Sequence, residues 1–249
     1  MGLLYYWIII VYALVMPSRN PSSGEPAPKR ARRDRVGLRE ELLEAALSEF
    51  ATHGYDGAST LSIARRAGAH QPQINYHFES KDLIWRAAVD HLFAQLGAAL
   101  DLDALGAEAD DIDVLAAGFA DRVRRFVRFA SEHPELNRII THEATSRTDR
   151  LEWMTERYVR VYAGAVGAVW DRLVEAGVAA PIDGRLIHHV LVGAASLVFV
   201  NAPEFELLNG EAPTSDVWVD RHAEGLVAML LPGLVRATPA LRGRSEPDS

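Results

Sequence analysis

Four hydrogen-bonding side chains crowd one short stretch of this chain: Gln71, Gln73, Asn75 and His77. Gln and Asn carry a donor and an acceptor side by side, the arrangement that pairs with adenine in the DNA major groove. Ile74 and Phe78 interrupt the polar run at a helical spacing, so a helix here packs by those two and turns its amides outward. The other clusters that suggest chemistry are poor ones. His142-Glu143 is followed by Ala144-Thr145-Ser146, which lacks the second histidine of a zinc-protease motif. His188 and His189 are adjacent and point to different sides of a helix, a poor geometry for a shared metal. There is no cysteine, and neither a G-x-S-x-G elbow nor a glycine-rich phosphate loop occurs. No catalytic residue, metal or cofactor is expected.

The elements that position the amides are all helical. Leu42, Leu43, Ala46, Leu47 and Phe50 recur at three- and four-residue spacings from Leu38, and Gly54 supplies a stop. Ser59 or Thr60 can cap a short helix through Ala67, ended by Gly68. A third helix fits Gln71 to Phe78, with Pro72 tolerable in its first turn, and Ser80 opens a longer one from Lys81 to about Leu100. Two short helices joined by Gly68-Ala69-His70 behind a longer one describe a helix-turn-helix. Further helices are expected over Asp111–Glu132, Pro134–Thr145, Thr148–Ala176, Asp183–Asn201 and Ser215–Leu231. The fold class is therefore all-α: an N-terminal three-helix helix-turn-helix domain over residues 29–86, then a helical domain over 87–241.

Three runs carry a family resemblance. Leu42-Leu43-Glu44-Ala45-Ala46-Leu47, with Phe50 and Gly54-Tyr55, resembles the first helix of the TetR family of transcriptional regulators. Ser59-Thr60-Leu61-Ser62-Ile63-Ala64 with Ala67-Gly68 is similar to its second. Ile74-Asn75-Tyr76-His77-Phe78-Glu79-Ser80-Lys81-Asp82-Leu83 is very similar to its recognition-helix exit. The resemblance covers about fifty residues. It implies that Thr60, Tyr76 and Lys81 meet phosphates, while Gln71, Gln73, Asn75 and His77 face base edges; Ser59, His70 and Arg35 complete the expected contact set. It also implies a homodimer on double-stranded operator DNA, a small-molecule effector and, as the more favoured sign, repression. Lys81 agrees on physical grounds, since a cation in the first helical turn opposes the helix dipole unless an anion meets it. Other readings remain open: Tyr76 as a core aromatic, Lys81 as a solvated lysine, His77 as a brace for the turn. Two departures stand out. His70 replaces the usual Ser or Thr cap, leaving that cap to imidazole or water, and Leu61 replaces a polar residue. An all-α small-molecule-binding protein or enzyme with a helix-turn-helix-like head is the alternative.

Composition taken whole argues the other way. The chain has 249 residues, 49% hydrophobic and 24% charged, with a net charge of -8, which reads as a soluble globular protein biased against nucleic acid. Partition changes that. Residues 29–86 hold ten Lys/Arg against eight Asp/Glu, a net of +2, whereas residues 87–249 hold fifteen against twenty-five, a net of -10. A modestly basic head on an acidic body suits a DNA-binding module with a separate regulatory part.

For the effector, the aromatic set Phe126, Phe129, Trp153, Tyr158 and Tyr162, with His142 and His189 as polar contacts, is the candidate pocket; the same stripe also reads as plain core. Val190 to Val200 is apolar all round and therefore buried on every side. A subunit interface is the natural cover for its second side, formed by Val190, Gly193, Ala194 and Leu197 with Val227 and Leu230.

Both ends lie outside this scheme. Leu3 to Met16 is an unbroken apolar run, short for a membrane span, which needs about 20 residues. Three readings stay open: translation beginning at Met16, which is the most economical, a membrane anchor, or an extra packed segment. Residues 17–28 read as linker, residues 1–28 together as an apolar extension and linker, and 242–249 as a tail. The basic run Lys29–Arg35 is expected as a tail reaching DNA ahead of helix one. The whole reading places the protein in the cytoplasm without a membrane partner.

Overall fold

Small oxygen-bearing side chains set the helix starts. Ser59 Oγ accepts from the Leu61 and Ser62 amides, Ser80 Oγ from Leu83, Asp111 from Asp113, Thr148 from Leu151 and Asp183 from Arg185, at 2.8 to 3.4 Å. Each such cap contributes about 1 kcal/mol. The computed structural model of the protein describes residues 29–101 and 110–237, with side chains over 37–101 and 110–234. The chain divides into two units, Met1–Gly37 and Leu38–Ser249; the interactions below all lie within the second. The expectations for residues 1–28 and 242–249, and for the Arg35 side chain, fall outside what is described.

Among the described residues every regular element is a helix. The order is α1 (Lys29–Gly57), α2 (Thr60–Arg66), α3 (Gln71–His77), α4 (Lys81–Ala99), α5 (Ile112–Glu132), α6 (Glu135–Ala144), α7 (Asp149–Met154), a π-helical turn (Thr155–Val159), α8 (Arg160–Glu175), α9 (Gly184–Val200), α10 (Ala202–Asn209), α11 (Asp216–Leu230) and α12 (Pro232–Ala237).

Three differences from the sequence reading have physical causes. The backbone is helical from Lys29 rather than Leu38, because Lys, Arg and Ala are strong helix formers and a basic run need not be a tail. Gly54 does break α1, at φ 67° and ψ 177°, but one further turn follows to Gly57. The expected single helix 148–176 contains the π turn, which accommodates one extra residue in the ladder. Met154 before the turn belongs to one core, and Val169, Trp170 and Leu173 after it belong to another. The short helices α10 and α12 were not anticipated.

Two cores hold the unit together. The first gathers Leu42, Leu43, Leu47 and Phe50 of α1, Ile63 of α2, Ile74 of α3 and Trp85, Leu92 and Phe93 of α4 with Phe129, Ile139 and Met154 of the body. The second joins α5, α8, α9 and α11 through Phe119, Val127, Trp170, Ile187, Phe199 and Leu226. Helix α4 runs unbroken across the boundary expected at residue 86, and Trp85 and Phe93 share one core. Residues on either side of that boundary thus share one helix and one core. Among the described residues no single helix is long and apolar enough to cross a membrane.

Candidate functional site

The turn between α2 and α3 is built on Gly68, at φ 65°, a conformation a side chain resists. Behind it, Ile63, Ala64 and Ile74 are buried, so α3 is pinned by one face. Its other face is open. Gln71 and Asn75 are exposed, and Tyr76 is 72% exposed. Tyr76 is therefore no core aromatic; it meets the His77 ring edge-on at 5.2 Å. His77 is half-buried and also lies 6.2 Å from the Phe78 ring, between the outward and inward faces.

Gln73 sits differently from its neighbours. Its side-chain Oε1 accepts the His70 N–H at 2.8 Å, and its own N–H donates to the His70 carbonyl at 2.9 Å. Helix α3 is closed at its start by a reciprocal pairing of His70 with Gln73. Gln73 keeps its amino group and the second lone pair of Oε1 for another partner. Ser59 and His70 are exposed, Thr60 is half-buried, and Leu61 is 40% exposed.

Lys81 begins α4. Its Nζ donates to the Asp56 carbonyl at 3.2 Å and stands 4.7 Å from the Tyr55 ring centroid. The ammonium is held at the C-terminal end of α1, not loose in solvent. Sequence reasoning also missed Glu49, which is 3% exposed. Its Oε1 accepts the Ser59 N–H at 3.3 Å and its Oε2 lies 3.8 Å from Arg66. A carboxylate inside the apolar stripe of α1 was the signal for it.

The residues chosen for an effector pocket scatter. His142 bonds the Ala51 carbonyl of α1 at 3.3 Å through Nε2, so it joins body to head. His189 is exposed on α9 beside His188. Phe129 is 3% exposed and stacks on His133 at 4.3 Å, and Phe126 packs between the two cores. Trp153, Tyr158 and Tyr162 do come together. Tyr158 stacks on Phe93 at 4.2 Å, Tyr162 lies 5.9 Å from the same ring, and Trp153 meets Tyr158 edge-on at 6.0 Å.

A polar group completes that cluster. The Tyr158 hydroxyl donates to Asp90, and Arg157 Nε donates to Asp90 at 2.9 Å and to the Tyr158 oxygen at 3.0 Å. Burial, reinforced by the bond to Asp90, pushes the Tyr158 phenol well above its ordinary range. An open depression of about 520 Å³ lies beside the π turn, lined by Thr145, Arg147, Leu151, Glu152, Glu156 and Arg160 among others. Among the described residues no group of three His, Asp or Glu side chains converges on a metal position.

The candidate interface residues divide as well. Val227 and Leu230 are 3% and 1% exposed inside the subunit's own core, so they do not face outward. Helix α11 instead exposes Gly225, Ala228 and Met229. On α9, Leu197 is 55% exposed and Leu186 57%; Val190 and Ala194 are half-buried, and a Cβ at Gly193 would meet only open space. Leu186, Gly193 and Leu197 recur at helical spacing, an apolar stripe that the described residues leave at least partly open.

Comparison with known proteins agrees with this geometry. Residues 42–88 match the family model "Bacterial regulatory proteins, tetR family", a span that holds α2, α3 and the start of α4. The HTH-type transcriptional repressor SCO4008 of Streptomyces coelicolor is 30% identical over 142 residues, covering 57% of this chain and 67% of that protein. The HTH-type transcriptional regulator RutR of Escherichia coli is 22% identical over 193 residues, covering 78% of this chain and 88% of its own. The crystal structure of AibR in complex with isovaleryl coenzyme A and operator DNA superposes with a TM-score of 0.57 at 18% identity, over 78% of this chain and 98% of that one. The chain belongs to the TetR family, and its helix-turn-helix is a DNA-binding head for transcriptional regulation.

Proposed function

We propose that the chain is a repressor that binds a palindromic operator as a homodimer and is released by a small molecule. The α3 surface carries the reading. Gln71, Asn75 and Tyr76 stand exposed on a helix anchored by Ile74 and Phe78, with Lys81 a few residues beyond. The amides suit base edges and the lysine a phosphate. Ser59, Thr60, His70, Gln73 through its amino group, and His77 border the same surface. The repressor sign is supported by the relation to SCO4008, which is named as one.

The dimer is supported by the open apolar stripe on α9 and the small residues Gly225 and Ala228 on α11. One self-complementary patch repeated by a two-fold axis closes a dimer, and such a dimer presents two heads to major grooves about 34–36 Å apart or a multiple. The effector reading is supported by the fold shared with AibR, which was solved with an acyl coenzyme A and DNA. Within this body the Trp153–Tyr158–Tyr162 cluster, with Asp90 and Arg157, joins aromatic faces to a hydrogen-bonding centre, the make-up of a small-molecule site.

Selection of genomic fragments on the full-length protein tests the function. Recovery of a shared palindrome, bound with steep salt dependence, supports it. Equal affinity for its own upstream intergenic DNA and for random duplex at moderate salt overturns it.

A further inference from the structure

The C-terminal end of α1 collects polar side chains from three other elements. His142 of α6 reaches the Ala51 carbonyl, Lys81 of α4 reaches the Asp56 carbonyl, and Arg150 of α7 lies over Tyr55 with its guanidinium carbon 3.7 Å from the ring centroid. Unpaired carbonyls and the helix dipole favour positive charge at this end. Tyr55 is the shared member, for the Lys81 ammonium stands 4.7 Å from the same ring.

We infer that Arg150 is a positioning residue for Lys81: through the Tyr55 ring, the regulatory body sets where the head holds a phosphate-binding ammonium. This rests on the reading of Lys81 as a DNA contact.

Arg150 is itself held by the body. Its Nε donates to Glu143 Oε1 at 3.1 Å, and Thr148 Oγ1 donates to Glu143 Oε2 at 3.1 Å. Glu143 is 4% exposed, so this pair is a rigid, charge-balanced mount on the α6–α7 corner. The carboxylate offsets the guanidinium charge, and two cations then share one ring with little mutual repulsion. Phe50, stacked 6.0 Å away, and Trp85, edge-on at 6.4 Å, define where the ring sits in the head core. Arg150 adds a contact from outside the head. A lysine stem has many rotamers, and ordering it at the moment of binding weakens affinity. The Tyr55 ring and the Asp56 carbonyl order it beforehand. Any displacement of the α6–α7 corner moves Arg150, and with it one of the two contacts that seat the lysine.

The test is a double-mutant cycle on full-length protein, using the genomic duplex that the wild type selects and a random duplex of equal length. Arg150→Met is expected to weaken binding to both duplexes by the same factor, about threefold, as loss of one cation–π contact would. It should also flatten the salt slope toward that of Lys81→Ala. In the Lys81→Ala background Arg150→Met should cause no further loss, and Arg150→Lys should retain affinity. Arg150→Met strands the buried Glu143, so Tyr55→Leu serves as a second variant that leaves the Glu143–Arg150 pair whole and should show the same dependence on Lys81. If either variant's loss multiplies with that of Lys81→Ala while wild type binds normally, the relay is overturned. Wild type that prefers no duplex instead overturns the DNA-binding reading, and this inference with it.

Discussion

Glu49 accepts the Ser59 N–H at 3.3 Å from inside the first core. Ser59 is the residue that caps α2, so a buried carboxylate on α1 determines where the second helix starts. The same carboxylate lies 3.8 Å from Arg66 at the far end of α2. One side chain thereby grips both ends of the helix that leads into the DNA-reading turn. Glu49→Ala leaves the amide and the guanidinium without it and should cost about 1–3 kcal/mol in urea unfolding. Glu49→Gln, which keeps an acceptor for the amide, should cost less. Equal losses would show that the amide contact is immaterial.

The head was legible where residue type and spacing have one outcome. Leu42, Leu43, Ala46, Leu47 and Phe50 can share a buried face only in a helix, and they are buried. Gln73 shows where such reasoning ends, since a glutamine looks equally polar whether it meets a base or closes its own helix. The body was harder. Periodicity groups Val227 with Leu230 but does not say whether their face meets the subunit's own core or a partner, and it met the core. His142 was an eligible pocket residue until the fold placed it against the Ala51 carbonyl, 91 residues away in sequence.

Lys81→Ala should weaken binding to operator and random duplex alike and lower the salt slope by about one phosphate contact. Titrations at four salt concentrations measure it. An unchanged slope would remove Lys81 from the DNA surface.

Gln71→Ala and Asn75→Ala should act on sequence preference instead. Each should cost about 1–3 kcal/mol on the selected operator and nothing on random duplex. A uniform loss on both would place these amides on the backbone rather than on base edges.

The two faces of α9 and α11 predict opposite outcomes. Leu197→Glu and Gly193→Arg put charge on the open stripe and should give monomers of normal thermal stability by light scattering. Leu230→Ala opens the core and should lower stability by about 2–5 kcal/mol, leaving the oligomeric state intact. Dimers persisting in both charged variants would rule out this stripe as the interface.

His133 supplies a pH signature. Its imidazole bonds Glu135 at 3.0 Å, and that bond, strengthened by the charges of Glu135, Glu44 and Glu132 against the opposing effect of burial, raises its pKa above the ordinary 6.5. The protonated form is therefore favoured by folding. Its contribution is full below about pH 6.5 and is lost as pH climbs through the raised value. The stability gap between wild type and His133→Gln should be widest in mild acid and close in mild alkali. A gap independent of pH would contradict the pairing.

The π turn at Thr155–Val159 has a consequence for insertions and deletions. The wide turn absorbs one residue, so a chain one residue shorter between Met154 and Arg160 would form an unbroken α-helix with its downstream face unmoved, whereas the present sequence wound as unbroken α-helix would carry that face round by about 100°. Trp170, now wholly buried, would swing out of the second core while Met154 stayed in the first. The wide turn therefore keeps the two halves of this long helix in phase with two different cores.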